Sequence, residues 1–82
     1  MTPNMTRALQ DAAPYGLHRF GGAWVARGAW GQIHDHGERH HKVTITALID
    51  RALMRLYAGG TVACLTELGE QRVAGMRKAA GQ

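Results

Sequence analysis

Between positions 39 and 55 the chain gathers Arg39, His40, His41, Lys42, Thr44, Thr46, Arg51 and Arg55. Free amides at a helix start, small hydroxyls, and guanidinium or ammonium groups are the donors that phosphate oxygens accept. The set therefore reads as a nucleic-acid surface, although the same charges also describe an ordinary solvated helix face. Salt-dependent binding separates the two. On this reading Arg51 and Thr46 face base edges, while His40, His41, Lys42 and Arg55 face the backbone.

A second cluster overlaps the first. His34-x-His36 with His40 and His41, beside Asp35 and Glu38, supplies nitrogen and oxygen donors of the kind zinc, nickel or copper accept. A His-x-His pair converges on a metal only where a strand turns both rings to one side. The neighbouring glycine and the lack of apolar residues predict a polar loop instead, so no metal or other cofactor is expected. Catalysis has less support. Cys64 lies in an apolar run and reads as a small buried hydrophobe, and neither a nucleophile–base arrangement nor a phosphate-cradling glycine loop is present. The expectation is a protein that binds, not an enzyme. Among the aromatics, Trp24 and Tyr57 are expected in the core, whereas Trp30, beside the polar loop, is the candidate binding residue.

Composition bounds these readings. Eighty-two residues make one small domain, 1–82, with a modest core whose stability leaves room for a partner surface to matter. Ten Lys plus Arg against six Asp plus Glu give a net charge of +4, which favours a polyanionic partner and excludes an acidic mimic of DNA. The one cysteine rules out an intrachain disulfide and suits a reducing interior. No long apolar run and no secretory pattern in residues 1–6 are found. The expectation is a cytoplasmic protein without a membrane partner.

The elements that must position these residues follow from periodicity. A short helix is predicted over Thr6 to Ala13, capped by Asn4 or Thr6 and closed by Pro14. A strand is predicted around Ala23 to Ala26, with a hairpin to a strand near Trp30 to Ile33 as one pairing. Residues 31–42 read as a polar, His-rich loop. Ile45, Leu48, Ile49, Ala52, Leu53 and Leu56 form one apolar stripe at helical spacing, so an amphipathic helix is predicted from Ile45 to Leu56 with Thr44 as its cap. Gly59-Gly60 then predicts a tight hairpin. Thr66 caps a last helix with Glu67 and Glu70 in its first turn, Arg72, Arg77 and Lys78 towards its end, and Leu68, Val73, Met76 and Ala80 buried.

The stretch Thr46-x-Leu48-x-x-Arg51-Ala-Leu53, followed after the hairpin by Leu65-Thr66-x-x-Gly69, resembles the recognition-helix-plus-wing half of winged helix-turn-helix domains. Small prophage and proteobacterial proteins are similar over most of their length, including a Gly-Gly-x-Trp strand like Gly21-Gly22-Ala23-Trp24. The resemblance implies an α+β fold: short N-terminal helix, strand, central recognition-type helix, β-hairpin wing and C-terminal helix. Residues 27–42 lack an apolar period, so the helix that positions the recognition helix is expected to be missing or degenerate. The wing tip, Ala58-Gly59-Gly60-Thr61, carries no charge.

Two functions follow as expectations. The first is a DNA-binding accessory or transcriptional regulator of a phage or mobile element, acting on double-stranded DNA as a homodimer. The second is a small inhibitor, like an anti-CRISPR protein, that docks on a host nucleic-acid-processing complex through loop and wing. Metal binding by the histidine loop ranks third.

Overall fold

The computed structural model describes residues 2–33 and 37–80, with side chains to residue 76. Its elements are α1 (Pro3–Ala12), β1 (Leu17–Phe20), β2 (Ala23–Ala26), β3 (His40–His41), α2 (Lys42–Asp50), β4 (Met54–Tyr57), β5 (Val62–Leu65) and α3 (Glu67–Ala80). The five strands form one antiparallel sheet in the order β3-β2-β1-β5-β4. The α+β class and the helix-then-hairpin order α2–β4–β5 are as expected. Between β1 and α2, strands β2 and β3 are the regular elements among the described residues.

Helix α1 begins three residues before the predicted start. Thr2 accepts the Met5 amide at 3.2 Å, and Pro3, which lacks an amide hydrogen, stands in the first turn. Met5, Ala8, Leu9 and Ala12 recur at helical spacing and enter the core. There they meet Leu17 and Trp24 from the sheet, Ile45 and Leu48 from α2, and Val73 from α3. Strand β1 was not predicted. Leu17 is buried, Arg19 is exposed, and His18 and Phe20 are half-buried, so no clean period-two signal marks the strand. The predicted partner of β2, a strand near Trp30 to Ile33, is replaced by β1 and β3; a single bridge, Arg27 to Ile33, is what that stretch retains.

The largest correction concerns the central helix. Ile45 and Leu48 are buried as the stripe requires, but the helix ends at Asp50 and Met54–Tyr57 is an edge strand. The stop is a Schellman closure. The Leu53 amide donates to the Leu48 carbonyl at 3.0 Å and the Ala52 amide to the Ile49 carbonyl at 2.9 Å, with Ala52 in the left-handed region at φ 60°. Buried Leu53 lies against the core beside Leu48, as the motif favours. Leu53 and Leu56 thus leave the stripe, and Leu56 is 44% exposed. Thr44 is inside the helix; the cap is His41, whose Nδ1 accepts the Val43 amide at 3.2 Å.

The Gly59-Gly60 hairpin forms as predicted, through a 3₁₀ turn over Ala58–Gly60. Thr66 caps α3, accepting the Gly69 amide at 3.1 Å while its own hydroxyl donates to the Ala52 carbonyl. The cap therefore ties α3 to the Schellman turn. Gly69 is required there, because a Cβ at that position would collide with the Leu53 carbonyl. Val73 is buried and Met76 half-buried, whereas Leu68 and Tyr57, both predicted inside, are exposed. Trp24 is in the core, and Cys64 is half-buried rather than fully enclosed.

Candidate functional site

Directly opposed residues of an antiparallel pair lie on the same side of the sheet. Arg19 opposes Trp24, and Trp24 opposes His40, so Arg19 stands on the core face, in the row that α2 covers. It lies at the edge of that face, where the turn Gly21-Gly22 and the turn Ala58–Gly60 come together; the Arg19 amide donates to the Thr61 carbonyl at 2.8 Å. Between these two tips and α2 a groove of about 450 Å³ remains. Its lining combines the apolar Trp24, Ile45, Ile49 and Leu56 with the polar Arg19, His41, Lys42 and Thr46.

The electrostatics of this groove are one-sided. None of its lining residues is acidic, and no described ion pair involves Arg19 or Lys42. His41 accepts at Nδ1, so a neutral ring carries its proton on Nε2 and offers a donor at the mouth. Two cations, an imidazole N–H and a hydroxyl above an apolar wall are suited to an anion joined to a flat apolar group.

The predicted binding residues divide. His41, Lys42 and Thr46 come together at the groove. His40, predicted to face a partner, is 3% exposed; its Nε2 lies 2.7 Å from Asp11 Oδ2 and its Nδ1 3.7 Å from Glu38 Oε2. His40 is buried on the core face beside Trp24, whereas His41 is exposed and caps α2. Arg39 stacks over the Phe20 ring at 5.2 Å. Thr44 is half-buried beside Asn4 and Glu38. Arg51 is exposed beyond α2 and donates to its own Ala47 carbonyl at 3.3 Å. Arg55 shares a separate surface with Thr66, Glu67 and Leu68. No described ion pair engages Arg51 or Arg55.

Arg19 is the residue that sequence reasoning missed. Its signal was the spacing Leu17-x-Arg19, which puts a cation on the core side of a strand once that strand is recognised. Of the four histidines considered for a metal, His34 and His36 lie outside the described residues, and His40 and His41 diverge. Among the described residues, no three His, Cys, Asp or Glu side chains could hold an ion. No helix among them is long and apolar enough to cross a membrane.

Trp30 is 92% exposed on a turn fixed by its own hydrogen bonds. The Gly28 amide donates to the Gln32 carbonyl at 2.8 Å, the Gly31 amide to the Gly28 carbonyl at 3.0 Å, and the Trp30 amide to Gln32 Oε1 at 2.9 Å. No protein-family model, curated protein or solved structure matches the chain.

Proposed function

We propose that this chain is a non-enzymatic nucleic-acid-binding protein, a DNA-binding accessory or regulator of the kind phages and mobile elements carry, on a winged-helix-like frame. The observation that carries the proposal is the groove at the N-terminal half of α2, where Arg19 and Lys42 meet no carboxylate among the described residues and Thr46 and His41 add donors. Unneutralised cations beside a helix start are suited to phosphates. The net charge of +4 and a helix leading into a hairpin support the same reading. Duplex DNA is the partner that the winged-helix resemblance implies, with a second copy of the chain on the neighbouring half-site. Titration of labelled DNA at low and moderate salt tests the proposal: affinity that falls steeply with salt supports it, and no binding at low salt refutes it.

A second reading rests on Trp30. An indole held out into solvent by a hydrogen-bonded turn is the kind of anchor that protein interfaces use, which favours docking on a host nucleic-acid machine. Recovery of a partner from host lysate after nuclease treatment, and its loss in Trp30→Ala, would favour this reading over the first.

A further inference from the structure

We infer that the groove between α2 and the two hairpin tips takes an unpaired nucleotide, its base against Ile49 and Leu56 over the buried Trp24 and Ile45 and its phosphate against Arg19 and Lys42. The inference rests on the nucleic-acid reading but replaces its duplex partner with an unpaired strand. A helix that reads duplex DNA carries its cations on a convex ridge that enters the major groove. Here the cations rim a hollow, Val43 is 65% exposed on the outward side of α2, and Asp50 is exposed at the helix end. A base paired within a duplex cannot offer its face to a hollow. An unpaired base can be splayed out and laid against apolar side chains.

The hairpin tips supply an independent observation. Gly21, Gly59 and Gly60 have φ values of 63°, 68° and 89°, a region that favours glycine. Gly22 has no such φ, and a Cβ built on it meets nothing within 4 Å. Neither the backbone nor the packing demands a bare residue there, yet Gly22 lines the groove together with Lys42. The bare tips, which give a wing no phosphate contact of its own, leave room beside the cations. The volume, about 450 Å³, is within the range of sites that enclose small ligands.

The experiment is a fluorescence-anisotropy titration with a short mixed-sequence single strand, the same strand annealed to its complement, and an abasic strand of equal length. The single strand is expected to bind roughly tenfold tighter than the duplex and roughly tenfold tighter than the abasic strand, the worth of about one stacked base. Gly22→Glu, at a position with open space around it, should weaken single-strand binding at least as much, while Gly22→Ala retains it and both keep the wild-type circular dichroism. In Trp30→Phe, where Trp24 is the remaining tryptophan, the single strand should change the emission and the abasic strand should not. Equal or tighter duplex binding, or an abasic strand that binds as well as the intact one, overturns the inference and leaves the nucleic-acid reading standing. Failure of all three strands to bind at low salt removes both.

Discussion

The two sides of α2's N-terminus use polar side chains in opposite ways. On the α1 side, Asp11 holds buried His40, Glu38 lies near the same ring, and Arg7 Nε reaches Glu38 at 2.9 Å while its Nη2 donates to Asn4. Asp11, Glu38 and Arg7 each have a partner on another part of the fold, and the product is an anchored helix. On the groove side, Arg19 and Lys42 line a hollow without an acid. Cations in no ion pair among the described residues contribute little to holding the fold together, which makes them available for a ligand. Histidines at adjacent positions, His40 and His41, fall on different sides of this division: His40 is buried against Asp11, and His41 is exposed as the cap of α2 and lines the groove.

The contrast can be broken from the anchoring side first. Leu9→Ala, which empties a fully buried position of α1, should cost about 3 kcal/mol in urea unfolding, with the fraction still folded binding oligonucleotides as the wild type does. Asp11→Ala should come next, at about 1–3 kcal/mol in thermal melts, because it strands the Nε2 of a buried imidazole. A loss near zero would show that the His40 ring finds water or Glu38 instead. Ala52→Gly should raise stability by about 1 kcal/mol, since the Schellman turn holds an alanine in the left-handed region. Unchanged stability would mean that the glycine's freedom in the unfolded chain offsets the strain. The smallest effect on stability, within about 0.5 kcal/mol, is expected from Arg19→Ala combined with Lys42→Ala.

How much of this was legible in the sequence follows the same physics. The apolar period over Ile45 to Ile49 and the Gly-Gly turn announced α2 and its hairpin, and Thr66 announced the start of α3. The end of α2 was hidden because a helix normally signals its left-handed stop with glycine, and here Ala52 takes that role while Leu53 and Leu56 continue the helical spacing by coincidence. Leu17–Phe20 escaped because two of its four residues are half-buried on the less covered face, which blurs the alternation. Arg19 escaped with it. Of the candidate site, His41, Lys42 and Thr46 were readable from their place at a helix start, whereas the groove depends on two turn tips brought together by the β1–β5 pairing, which nothing local encodes. The inward turn of His40 needed the same long-range knowledge, since Asp11 lies on a different helix.

The central claim, that Arg19 and Lys42 at the groove mouth contact phosphate, is tested most directly by the salt dependence of single-strand binding. For the Arg19→Ala, Lys42→Ala double variant, the slope of log affinity against log salt should be shallower than that of the wild type by about 1.4, two phosphate contacts' worth. An unchanged slope in that variant, with the loss appearing instead in Arg51→Ala combined with Arg55→Ala, would contradict the account and place the contact surface on the other end of the α2–β4 connection.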